Sequence, residues 1–168
     1  YFMIINIIDD SLFAKTGHHF SWTKIIALYL SEQLGHDVTV YCNKKIAADA
    51  LESFGDRVEI VPHFQLSSYG AMTLAGDVAK QMFHFSLRFS QMVQSLANIR
   101  DADLWLFPTL TPVNLAAVAE LQPSARLAGC VHRPETHLYP DIGSLIWADC
   151  QKKMRKIEAD INLFATTP

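Results

Sequence analysis

Two stretches of this 168-residue chain gather side chains that can bind anions or move protons. The first, "DDSLFAKTGHH", places Asp9, Asp10, Gly17, His18 and His19 between an apolar run and a helix-patterned segment. A glycine ahead of a helix lets a ligand come close to backbone, and the unpaired N–H groups of the helix start favour an anion. Gly17 and His18 are therefore candidate contacts to a phosphate-bearing ligand, against the plainer reading of a Gly-assisted turn with exposed histidines. Asp10 is a candidate substrate contact, against a solvated turn with a local cap. The second stretch, "CVHRPETHLYPD", runs from Cys130 to Asp141 and holds His132, Arg133, Glu135 and His137. Histidine changes charge near neutral pH and both donates and accepts hydrogen bonds, so His132 is the candidate catalytic group, able to orient a hydroxyl or stabilise developing charge. A structural histidine at a strand end is the competing reading. Arg133, Glu135 and His137 are candidate substrate contacts, as is Thr109.

These residues need elements to hold them. Phe2 to Ile8 reads as a strand buried on both faces, and Phe20 to Leu34 as a helix ended by Gly35. Asp37–Cys42 reads as a strand, Ala47–Phe54 as a short helix, and Arg57–Pro62 as a strand stopped by its proline. Gly76–Ile99 is the longest helix, with a broad Met- and Phe-rich face suited to core packing. Ala102–Pro108, Ala125–His132 and Ile161–Pro168 read as further strands, separated by helices over Val113–Leu121 and Ser144–Asp160. Strands and helices alternate throughout, which defines an α/β doubly wound parallel sheet of the Rossmann-like kind, in one domain over 1–168. Ligands of such sheets sit outside the carboxyl ends of the strands. All the candidate residues above follow a predicted strand.

Several chemistries are excluded by pattern. GxGxxG and GxxxxGK[ST] are both absent, so neither dinucleotide binding of the usual kind nor P-loop nucleotide hydrolysis is expected. Asp9–Asp10 matches the paired acids of phosphoacceptor receiver domains, but "VPHF" and "VHRPE" stand where those domains need a third Asp and a Lys. His18 and His19 lack further metal ligands nearby, so no metal is expected. The net charge of −3 argues against a general affinity for nucleic acid. "KKMRK" (Lys152–Lys156) is the one dense basic cluster, a candidate peripheral contact with anionic headgroups or simply a solvated helix face. Three cysteines without CxxC spacing fit a reducing, cytoplasmic setting.

The order of these pieces resembles the N-terminal half of the retaining nucleotide-sugar glycosyltransferases with the GT-B fold (glycosyltransferase group 1, family 4-like). "LGHDVTVYC" resembles that family's turn into its second strand, "DADLWLFPTLTPVNLAAVAEL" its fourth strand and helix, and "ARLAGCVHRPE" a fifth strand ending in histidine. "INLFATTP" is similar to its sixth strand. The resemblance implies an acceptor-side domain that transfers a sugar from a nucleotide-sugar donor, bound as substrate with no resident cofactor, to a carbohydrate, lipid-linked or protein acceptor. Gly17 would lie near the donor diphosphate and His132 near the transferred sugar. A second, donor-binding domain would complete the cleft, and the 168-residue chain alone would be inactive. A nucleotide-sugar 2-epimerase half and a non-enzymatic doubly wound binding or regulatory domain are the competing readings.

Overall fold

A computed structural model of the chain describes residues 1–69, 74–131 and 138–154, and the backbone of 161–165. Its sheet has six parallel strands: β1 (Ile4–Asp9), β2 (Asp37–Asn43), β3 (Val58–Phe64), β4 (Leu104–Phe107), β5 (Arg126–Val131) and β6 (Ile161–Ala165), in the order β3-β2-β1-β4-β5-β6. This is the doubly wound arrangement that the alternating pattern predicts. The chain builds outward from β1 through β2 to β3, then returns across the sheet and builds outward the other way from β4. A crevice consequently opens beyond the carboxyl ends of β1 and β4, where the direction reverses.

Apolar residues on successive strand positions fill two cores. Ile5, Ile7, Val38 and Val40 pack with Phe20, Ala27 and Phe54 beneath α1 (Gly17–Leu28) and α2 (Ala48–Leu51). On the opposite face, α3 (Val78–Leu96), α4 (Pro112–Leu121) and α5 (Gly143–Met154) lie side by side, with Trp105, Phe107, Leu127 and Tyr139 in their core. Helix α4 lies between α3 and α5 and is buried from Pro112 to Ala119, which explains why its apolar residues show no single face. It starts with a reciprocal cap: the Thr111 hydroxyl accepts from the Asn114 N–H, and the Asn114 side chain accepts from the Thr111 N–H.

The return crossing from β3 to β4 is fastened by Arg100. Its carbonyl accepts from the buried Asn6 amide at 2.7 Å, its N–H donates to the Tyr41 hydroxyl, and its guanidinium reaches Asp37 at 3.1 Å. Two neighbouring strands, β1 and β2, are thus gripped by one residue of the connection. Farther along, Asp141 accepts from the Gly76 N–H at 2.7 Å and from the Gln81 side chain, and Tyr139 is hydrogen-bonded to His84 Nδ1 at 3.0 Å. The far end of the Cys130–Asp141 stretch therefore fixes α3 to α5.

Several sequence boundaries are corrected. Gly17, His18 and His19 form the first turn of α1, where a loop was expected, and α1 passes at Tyr29–Gln33 into a π-helical turn before Gly35. Pro62 lies inside β3, because an outermost strand hydrogen-bonds on one side only and tolerates a missing N–H on the other. Helix α3 starts two residues later than predicted, at Val78, capped by the Asp77 carboxylate accepting from the Lys80 N–H.

The buried cap of α4 gives a stability prediction. Thr111→Ala removes the hydroxyl that both accepts from the Asn114 N–H and donates to the Asn114 side chain, on a residue only 1% exposed. It is expected to cost about 1–2 kcal/mol in urea unfolding, with the slope of the transition unchanged.

Candidate functional site

The end of β1 carries two consecutive acids, and strand geometry points neighbouring side chains in opposite directions. Asp9 turns toward α1. One of its oxygens accepts from His19 Nδ1 at 2.8 Å and from the Ser11 N–H at 3.2 Å, and the other accepts from the Thr23 hydroxyl at 2.7 Å. His19 and Thr23 are one helical turn apart, so both meet the same carboxyl. Asp10 turns toward the β3–α3 connection, where it accepts from the Ser68 N–H at 2.5 Å and the Ser68 hydroxyl at 2.6 Å. Its carbonyl receives the side-chain amide of Asn43, at the end of β2. Ser67 is held in turn by Ser11 and by the Arg88 guanidinium, which donates to its carbonyl at 2.8 Å. Tyr69 packs its ring edge-on against His19, 5.2 Å between centroids.

His19 is the group this arrangement prepares for chemistry. Burial opposes its protonation, but the hydrogen bond it donates to Asp9 and the negative charges of Asp9 and Asp10 outweigh that and raise its pKa above the ordinary 6.5. Because Asp9 accepts the Nδ1 proton, the neutral ring presents its lone pair at Nε2. The side chain keeps 15% of its surface exposed while that of Asp9 keeps 1%. An imidazole oriented by a buried carboxyl can take a proton from a hydroxyl at its far nitrogen.

Across the crevice, Thr109 follows β4, and its hydroxyl is buried with no hydrogen-bond partner among the described residues. A buried hydroxyl in that condition is costly unless a ligand or water completes it. Beside it, an open cavity of about 240 Å³ lies between Trp22 and Ile26 of α1 and Leu106, Pro108, Ala128 and Cys130 of β4 and β5.

Of the residues singled out from sequence, Asp10, Gly17, His18 and Thr109 gather at this end of the sheet. Gly17 is exposed with φ +82°, a conformation that asks for glycine, and a Cβ there would meet nothing within 4 Å. Glycine is thus required by the turn into α1, and the space over it is open. His18 is exposed and its ring lies 4.2 Å from that of His19. His132, Arg133, Glu135 and His137 lie outside the described residues. His19 and Asp9 are the pair that the sequence reading passed over in favour of His18. Among the described residues, no group of three or more His, Cys, Asp or Glu side chains is placed to hold a metal ion. No helix among them is long and apolar enough to cross a membrane.

No family model matches the chain, and no curated protein does. Solved structures do. An FMN-dependent cysteine decarboxylase, TvaF, from thioviridamide biosynthesis, is 9% identical with a TM-score of 0.50, over 99% of this chain and 90% of that one. The glycotransferase of kitacinnamycin is 15% identical with a TM-score of 0.48, over 92% of this chain and 38% of that one, so this chain spans well under half of its length. The likeness to the decarboxylase is one of fold, and the fold shared is the Rossmann-like α/β sheet described above.

The two acids at the end of β1 behave differently, which is measurable. Burial raises the pKa of Asp10 from 3.8 to about 6, the Asp9 charge adding to it and the Ser68 hydrogen bonds opposing it. The folded state therefore binds a proton that the unfolded chain has released, and this contribution to stability falls as pH rises from about 4 to 6 and stays lost above that. Asp10→Asn, which keeps a carbonyl to accept from Ser68, is expected to stabilise the fold by on the order of 2–3 kcal/mol at pH 8 and little at pH 4. Thermal unfolding of both proteins at the two pH values reads the difference.

Proposed function

We propose that this domain is the acceptor-side half of a glycosyltransferase, passing a sugar from a nucleotide-sugar donor to an acceptor hydroxyl. The observation that carries the reading is the Asp9–His19 hydrogen bond at the reversal point of the sheet, which supplies a base where such a hydroxyl would be held. In the reaction the acceptor oxygen bonds to the anomeric carbon and its proton passes to Nε2 of His19. The bond from that carbon to the diphosphate breaks, and the nucleotide leaves with the electron pair. Asp9 keeps the ring in the correct tautomer and steadies the imidazolium that forms.

The sequence resemblance supplies the rest of the reading. It assigns leaving-group stabilisation to a second doubly wound domain and His132 to the transferred sugar; it also implies retention, whereas a single displacement with His19 as base inverts the anomeric carbon, so the anomer of the product separates the two courses. Arg133, Glu135, His137, Asp10 and Thr109 are the proposed contacts to substrate, and Gly17 and His18 face the donor diphosphate. The acceptor is a carbohydrate, lipid-linked or protein hydroxyl, and Lys152–Lys156 offers a peripheral contact with a cytoplasmic membrane face. The second reading is a non-enzymatic doubly wound binding or regulatory domain built on the same sheet.

The test uses the full-length product of the reading frame that contains this domain, assayed against a panel of nucleotide sugars. His19→Ala is expected to lower kcat about 10²–10⁴-fold with a smaller effect on KM. Because the base must be unprotonated and its pKa is raised, the rate should climb with pH through a midpoint above 6.5, and Asp9→Asn should move that limb downward. Absence of turnover with every donor, or transfer indifferent to His19→Ala, overturns the reading.

A further inference from the structure

On the side of the sheet that carries α1, no helix among the described residues covers β4 and β5; α3, α4 and α5 pack on the other side. What borders that bare surface is the flank of α1, where Trp22, Ile25 and Tyr29 stand 41%, 68% and 56% exposed. The cavity of about 240 Å³ lies in this angle, walled by Trp22, Ile26, Leu106, Pro108, Ala128 and Cys130, with no charged side chain in its lining.

Its position relative to His19 follows from helix geometry. His19, Trp22 and Ile26 are spaced i, i+3 and i+7, one face of α1, and Trp22 lies about 4.5 Å along the axis from His19. Pro108 and Cys130 stand at the carboxyl ends of β4 and β5, level with Asp9 at the end of β1. The Thr109 hydroxyl, more than nine-tenths buried and without a partner among the described residues, follows Pro108. The crevice is thus polar at one end and apolar at the other. An ionised group would lose its hydration against such walls without a partner, whereas a ring gains by burial and by stacking on Trp22. The volume falls below the roughly 300 Å³ at which pockets for whole drug-sized ligands begin, so it fits one part of a larger molecule.

We infer that this cavity is a binding site for the uncharged, ring-bearing part of a small hydroxylated molecule, and that it presents the hydroxyl of that molecule to His19. The site stands on its own geometry; only the fate of the hydroxyl rests on the proposed transferase reading.

Cys130 provides a direct reporter. It is half-buried on the cavity wall, whereas Cys42 and Cys150 are buried, and burial pushes their thiols up to about 12 and about 11. Alkylation of the 168-residue domain by iodoacetamide at pH 7.5, followed by mass spectrometry, should therefore report on Cys130. The probe is 2-naphthol, with the anion 2-naphthoate as its charged counterpart. The expected result is saturable slowing of Cys130 alkylation, at least fivefold, by 2-naphthol and not by 2-naphthoate. Ala128→Phe, which fills the cavity away from His19, should abolish the slowing. Should that variant fail to fold, Ile26→Asn on the opposite wall is expected to weaken it at least tenfold in probe concentration. No saturable protection by 2-naphthol, or equal protection in both variants, overturns the site. Protection that instead grows with protein concentration alone, together with a dimer in sedimentation, assigns the surface to a second copy and overturns it as well. No donor sugar enters the assay, so protection without any glycosyl transfer by the full-length protein upholds the site and overturns only its transferase role.

Discussion

A carboxyl group removed from water must be matched by donors where it lies, and Asp9 meets that requirement at the end of β1. Three donors converge on it from the following turn and from α1. The first turn of the helix can have only one position relative to the strand if all three are to be satisfied. Asp10 imposes the same condition in the other direction, drawing Ser68 and with it the connection from β3. Strand alternation splits two adjacent acids into two anchors, and the crevice is the space between what they hold.

The second constraint is topological. Reversing the direction of sheet growth requires a long return across strands already laid down, and an apolar crossing alone would leave the polar groups of Asn6, Thr39 and Tyr41 to find partners. Arg100 and Glu59 supply them: Asn6 and Tyr41 bond to Arg100, and the Thr39 hydroxyl donates to Glu59 at 3.0 Å. The polar stitch runs across the very strands whose remaining residues form the two apolar cores. It holds the return path without disturbing the carboxyl ends, where chemistry is possible.

Sequence pattern was sufficient for the elements because nearly all of them carry local signals. Dense Ile, Val and Leu runs mark β1, β2 and β4, and Thr111, Pro112 and Asn114 mark the start of α4. Errors arose where tertiary position decides. Pro62 stops a central strand but not an outermost one, and nothing local says which β3 is. For Gly17 the pattern leaves close approach to a ligand and a Gly-assisted turn side by side; the positive φ shows the turn, and the open space above it leaves the approach free. His18 and His19 are indistinguishable by composition, and only the direction of Asp9 selects the second. The spacing of ten residues between Asp9 and His19 has no periodic meaning until strand and helix are placed beside one another. The buried Thr109 hydroxyl, without a partner among the described residues, has no signature in sequence, since burial is a property of the packed chain.

The two margins of the sheet are unlike. At β3 the proline and the slipped register near Cys42 and Asn43 spoil the regular row of donors and acceptors that another strand would need. At β6 the described backbone ends in a five-residue strand with one flank paired to β5 and the other not paired within the sheet. An additional strand would thus find the β3 margin poorly matched to its own row of donors and acceptors.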